Sequence, residues 1–291
     1  MTGAPAPTPA PDSAAPAAPG AAASPGAGER RIAAAFAEAQ GRAALMPYLM
    51  GGFPDLPTSA RVGRAYADNG ATLVELGVPY SDPLADGPVI HAAGSAALRT
   101  GATLDGVLEV AEGLADHVPV VVMCYANLLY ARGLERFAGD LADHGVSGVI
   151  VPDVPLEEAP AVRDACERAG IVLVPLVAPT TPESRLAAIG ELARGFVYTV
   201  SVAGTTGERR AVDDSVGALV ERVRRHAQVP VAVGFGVGEP AQARAVAAAG
   251  ADGVIVGSRL VRAVAEAVES QADPAAAVGA LVADFAAALD R

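Results

Sequence analysis

The amino-acid sequence predicts an α/β chain folded as a (β/α)8 TIM barrel with extra helices, and three features carry that expectation. Apolar, β-rich runs recur at residues 44–50, 72–76, 118–124, 147–151, 171–177, 195–200, 229–234 and 253–256. Each leads into a loop of Gly, Pro or Asp and then into a helical pattern. The helix-to-strand joins repeat a glycine, as in Asn69-Gly70-Ala71, His144-Gly145-Val146, Ala169-Gly170-Ile171 and Ala249-Gly250-Ala251, where glycine can end a helix before the next strand. Strands that alternate with helices must pair in parallel, and eight of them over ~250 residues close a barrel. A doubly wound open sheet is the alternative arrangement.

Taken in order, residues 1–28 contain Ala, Pro, Gly, Ser and Thr with almost no large apolar side chain. That composition cannot offset chain entropy, so a disordered extension is expected there, ahead of a catalytic barrel over 29–291. It lacks the basic and apolar regions of a signal peptide. Residues 29–40 show a short amphipathic helix carrying Ile32 and Phe36. The long interval after the second strand must hold an extra helix at about 89–99. Leu134, Phe137, Ala138 and Leu141 mark one helical face. Thr181-Pro182-Glu183 reads as a cap with proline at the first helical position. Val278, Leu281, Val282, Phe285 and Leu289 mark the last helix.

Composition narrows the chemistry. Hydrophobic residues make up 52% and charged residues 19%, enough for a large core. A formal net charge of -12 provides no basic stripe for nucleic acid. No apolar run approaches the ~20 residues of a membrane span. Cys124 and Cys166 form no disulfide framework and sit in apolar patterns, which fits the cytoplasm. The chain contains no lysine, so a Schiff base to substrate or to pyridoxal phosphate cannot form on it. His117, His144 and His226 fall where helices end and strands begin, opposite the strand C-termini, so no metal site is expected. Carboxylates, tyrosines, hydroxyls and backbone dipoles remain.

In a barrel of this kind, the loops at the strand C-termini build the site. Glu75 lies at the end of an apolar strand, and Asp86 at the far end of the loop that follows. Two carboxyls in different environments that converge on one pocket suit general acid–base chemistry; otherwise Glu75 is a structural hydrogen-bonding partner and Asp86 a turn-former. Tyr125, Asp153 and Tyr198 also fall at strand ends, and the loop 201–213 reads as long and mobile. Gly234-Phe235-Gly236 follows the seventh strand, and Gly257-Ser258 opens a helix after the eighth. Glycines there let backbone N–H groups and a helix dipole hold phosphate without lysine.

The stretch Glu75-Leu-Gly-Val-Pro-Tyr-Ser-Asp-Pro-Leu-Ala-Asp-Gly-Pro88 resembles the signature of the tryptophan synthase α subunit family. Met123-Cys-Tyr-Ala-Asn127, Val151-Pro-Asp-Val-Pro155, Gly204-Thr-Thr-Gly207, Gly234-Phe-Gly236 and Gly257-Ser258 match in the family's order and spacing. The resemblance runs from about Glu29 to the C-terminus. It implies a cofactor-free, retro-aldol cleavage of indole-3-glycerol phosphate to indole and glyceraldehyde 3-phosphate. By motif position it implies Glu75 as the principal acid–base residue and Asp86 as the partner of the indole nitrogen. Tyr198 would lie near the glycerol chain, and Tyr48, Ile90, Tyr125 and Phe235 would line the indole pocket with Met123; Thr206, a substrate-binding candidate on the mobile loop, would be brought toward the carboxylates when that loop closes. Gly207, Gly236, Gly257 and Ser258 would cradle phosphate. Tyr48 stands where many relatives have phenylalanine.

The resemblance further implies a β subunit that carries pyridoxal phosphate, in a heterotetramer of two α and two β chains, with Pro79, Asp82 and Asn127 near the contact. A free-standing lyase, another phosphosugar barrel, and a silent barrel that activates a partner are the competing readings.

Overall fold

The computed structural model describes residues 25–39, 41–200, 214–234 and 236–290. The segments run α1 (Ala27–Glu38), β1 (Ala44–Met50), α2 (Leu56–Asp68), β2 (Val74–Gly77), α3 (Pro88–Arg99), α4 (Leu104–Ala115), β3 (Val120–Met123), α5 (Ala126–Arg132), α6 (Leu134–Asp143), β4 (Gly148–Ile150) and α7 (Ala159–Arg168). They continue β5 (Val172–Leu173), β6 (Leu176–Val177), α8 (Glu183–Leu192), β7 (Val197–Val200), α9 (Asp214–Arg224), β8 (Val231–Gly234), α10 (Pro240–Ala248), β9 (Gly253–Val256), α11 (Ser258–Glu269) and α12 (Pro274–Leu289). Helix α1 opens at Ala27, so Ala27 and Gly28 join the helix rather than the extension. Most of the segment 1–28, and all of the loop 201–213, lie outside the described residues.

Every strand pair is parallel, in the order β5-β4-β3-β2-β1-β9-β8-β7-β6. The two ends, β5 and β6, are consecutive pieces of the predicted fifth strand. Val174 still donates to Val149 on one side, while the Pro175 carbonyl accepts from Tyr198 on the other. Pro175 has no N–H for a ladder, which accounts for the interruption. The sheet ends therefore meet within one segment, and the strands form a barrel.

Alternation along these strands makes two cores. Met46, Leu73, Val121, Ile150, Phe196 and Ile255 belong to the inner cluster. Their neighbours Leu45, Val74, Val122, Val149, Val197 and Val254 belong to the outer cluster, against the helices. Helix α1 closes the N-terminal end of the barrel: Ile32 is buried in the inner cluster, and Phe36 lies 5.9 Å from Phe196 between ring centroids. Gly28 N–H donates to Gly170 O at 2.9 Å, and a Cβ at Gly28 would overlap the Ser147 carbonyl. Arg31 donates to the carbonyls of Gly145 and Ala115. With that end plugged, the C-terminal face remains as the mouth. At α8, Pro182 is the cap instead of Thr181, whose hydroxyl accepts from Ala178 N–H at 3.0 Å.

Candidate active site

Strand β2 delivers Glu75 to the barrel interior, 1% exposed. Its register partner on β1 is Tyr48. Neither carboxyl oxygen of Glu75 meets hydrogen-bond geometry with a described residue. Burial pushes this carboxyl up to about 8; the nearby Tyr198 hydroxyl draws it partly back, and the charge of Asp86 raises it further. Glu75 is therefore mostly protonated near neutrality, yet close enough to its pKa to exchange a proton.

Asp86 closes the loop after β2, just before α3, and is half-buried. Burial raises its pKa, while a hydrogen bond from Tyr125 and the nearby His91 oppose that rise. Tyr125 O–H donates to Asp86 Oδ1 at 3.1 Å and accepts from Ala85 N–H at 3.0 Å. Its ring stacks on Tyr80, with centroids 5.0 Å apart. The family resemblance implies a place for Tyr125 in the indole wall; its contacts also anchor the acidic loop. Asp153, at the next strand end, accepts from Ala126 N–H at 2.9 Å and so tethers the start of α5.

Tyr198, on β7, is buried in the inner cluster, and its pKa is raised first by burial and then by Glu75. Its hydroxyl occupies space left by Gly234, where a Cβ would come within 2.9 Å. Tyr48 has the matching arrangement across β1 and β2: a Cβ at Gly77 would overlap the Tyr48 hydroxyl. Burial raises the Tyr48 pKa, as do the charges of Asp86, Glu75, Tyr198 and Tyr125 in decreasing order. Two phenols thus reach the pocket of the carboxyls, each over a glycine of the neighbouring strand.

An apolar wall completes the pocket. Tyr48 and Met50 cluster with Ala93 and Val261, and Ile90 and Met123 pack against them. Behind it, an apolar groove of about 380 Å³ runs between α3 and α11, lined by Phe53, Val89, Ala92 and Arg262 among others. It contains none of the carboxyls or phenols of the site, so the chemistry belongs to the Glu75 pocket.

Gly257 caps α11 and supplies no side-chain hydrogen bond to its first turn. A Cβ there would meet Tyr48 only at ordinary contact distance, 3.6 Å, so crowding by protein atoms does not require this glycine. Ser258 begins the helix, and Gly236 adopts φ of 51° with open space around it. Helix N–H groups without side-chain partners, beside glycines, suit a phosphate. Thr206, Gly207 and Phe235 lie outside the described residues. Among the described residues no group of three or more His, Cys, Asp or Glu side chains could hold a metal ion, and no helix is long and apolar enough to cross a membrane.

The family model described as tryptophan synthase alpha chain matches residues 34–290. The tryptophan synthase alpha chain of Prochlorococcus marinus (strain MIT 9313) is 51% identical over 232 residues, 79% of this chain and 84% of that one. That of Methanopyrus kandleri is 48% identical over 226 residues, 78% and 82% respectively. Among solved structures, Mycobacterium tuberculosis tryptophan synthase superposes with a TM-score of 0.82 at 39% identity, covering 90% of this chain and 98% of that one. Tryptophan synthase subunit alpha from Legionella pneumophila str. Paris gives 0.83 at 32% identity, covering 89% and 98%.

Proposed function

The chain belongs to the tryptophan synthase alpha chain family, and on that premise we propose that Glu75 and Asp86 carry its reaction. The enzyme is a lyase that cleaves indole-3-glycerol phosphate to indole and glyceraldehyde 3-phosphate. The observation that supports this assignment of residues is the buried Glu75 carboxyl beside the Tyr198 hydroxyl, its pKa raised by burial to about 8.

The chemistry follows from the two environments. Protonated Glu75 delivers its proton to indole C3, which places positive charge on the ring nitrogen. Asp86, ionised and held by Tyr125, stabilises that charge. The bond from C3 to the glycerol carbon then breaks, and its electron pair returns to the ring. The hydroxyl on that carbon becomes the aldehyde carbonyl, and its proton goes to Glu75, which is thereby restored. Tyr198 sits beside Glu75 for the glycerol chain. Gly236, Gly257 and Ser258 hold the phosphate, with Gly207 from the loop outside the described residues; no cofactor takes part.

Membership of this family implies a β chain as partner. We place that chain on the mouth, in a heterotetramer of two α and two β chains in the cytoplasm, and pyridoxal phosphate belongs to it because this chain has no lysine. Asp82 and Asn127 are exposed there, with Leu84 and Tyr130, whereas Pro79 is buried and offers no surface of its own. Titrating the protein with β chain while following substrate consumption and complex formation tests this. Rising turnover with complex formation supports a subunit; full turnover and no complex at micromolar concentration would make it a free-standing lyase.

A further inference from the structure

We propose that Tyr48 is a third catalytic residue, whose hydroxyl donates a hydrogen bond to the substrate oxygen that becomes the aldehyde carbonyl. The inference rests on the lyase reading above and adds a group to it.

Position comes first. Tyr48 is adjacent to Glu75 in the β1–β2 register, so both side chains face the barrel interior. The ring reaches across β2 until its hydroxyl stands over Gly77, two residues nearer the mouth than Glu75. On its other side, Tyr48 Cβ lies 3.6 Å from where a Cβ of Gly257 would be, at the start of α11. The residue thus spans from the phosphate cradle to the acid pair. Asp86, Glu75, Tyr198 and Tyr125 all act on this one phenol. The phenol thus shares one pocket with both carboxyls.

Partnering comes second. Tyr66 donates to the backbone carbonyl of Tyr48 at 3.3 Å, which fixes the main chain. The Tyr48 hydroxyl itself makes no hydrogen bond with a described residue. Unlike the Glu75 oxygens, it is not sealed from solvent, so a substrate oxygen can reach it. Phenylalanine would fill the same wall without offering a donor. The phenol remains protonated over the working pH range, so it serves as a donor. No proton leaves Tyr48: as Glu75 takes the proton of the substrate hydroxyl, negative charge grows on that oxygen, and the donor stabilises it.

The test compares Tyr48→Phe with wild type, using indole-3-glycerol phosphate for turnover and 3-(indol-3-yl)propyl phosphate for binding. The second compound keeps the ring, chain and phosphate but lacks the hydroxyl. The expected result is a roughly tenfold or greater fall in kcat, with the dissociation constant of the hydroxyl-free compound changed by less than about twofold. Gly77→Ala, which displaces the hydroxyl without removing it, should lower kcat as well. Wild-type turnover in Tyr48→Phe overturns the proposal. So does an equal loss in kcat and in binding of the hydroxyl-free compound, which would reduce Tyr48 to wall packing. If wild type releases no indole, alone or with β chain, the lyase reading falls and takes this inference with it.

Discussion

Tyr125 and Asp86 are 39 residues apart in sequence and joined by a 3.1 Å hydrogen bond at the mouth of the barrel. The same hydroxyl accepts from Ala85 N–H, so one side chain fixes both the backbone and the carboxylate of the acidic loop. A donor to the ionised carboxylate lowers its pKa, against the upward push of burial.

Tyr125→Phe removes that donor and leaves the ring on Tyr80. The Asp86 pKa should rise, and the acid limb of kcat/KM should move to higher pH. A hydrogen bond to a charged group is worth ~1.5–3 kcal/mol, less here because Asp86 is only half-buried. The expected loss in kcat/KM at neutral pH is about tenfold. An unmoved acid limb would show that Tyr125 only packs.

Glu75 links catalysis to stability. Its folded pKa, about 8, lies above the ordinary value of 4.5. Between those values the folded state holds a proton that the unfolded state has released, so stability falls as pH rises from 4.5 to 8 and levels off above. Each tenfold difference in proton affinity between the two states is worth ~1.4 kcal/mol, so the effect amounts to a few kcal/mol. Glu75→Gln removes it. Urea unfolding across this range should show the variant gaining on wild type as pH rises; parallel curves would mean that Glu75 is not buried as described.

The phosphate cradle predicts a loss of binding. Gly257→Asp places a side chain and a negative charge at the N-terminus of α11. Calorimetry with glycerol 3-phosphate should show affinity reduced by at least about tenfold, on the scale of one charge at a helix end plus lost N–H contacts. Unchanged affinity would place the phosphate elsewhere.

Gly234 serves Tyr198. Gly234→Ala brings a methyl group within 2.9 Å of the Tyr198 hydroxyl. Turnover should fall by more than the loss of thermal stability explains, because the phenol beside Glu75 is displaced. Turnover that falls only in step with stability would make the glycine a packing residue.

The sequence is a good guide where periodicity decides. The run at 44–50 matches β1 at both ends, and the extra helix at 89–99 differs from α3 by a single residue. Glu75 and Asp86 stood out because carboxylates are conspicuous among apolar and turn residues. The break between β5 and β6 was visible only as Pro175 within an apolar run. What stayed hidden depends on pairs distant in the chain. Nothing local shows that Gly77 clears space for Tyr48, or that Gly234 does so for Tyr198; strand register creates both relations. Tyr125 was legible as a residue of the mouth, yet its bond to Asp86 depends on how the acidic loop folds back over β3.

A buried, proton-exchanging Glu75 that drives carbon–carbon cleavage must show itself in the products. The most direct measurement is paired release of indole and glyceraldehyde 3-phosphate from indole-3-glycerol phosphate, by wild type and by Glu75→Gln, each with β chain present. Wild type should release the two products in equimolar amounts, and the variant at a rate at least ~10²-fold lower, with unchanged binding of 3-(indol-3-yl)propyl phosphate. Near-normal cleavage by Glu75→Gln would contradict that role for Glu75.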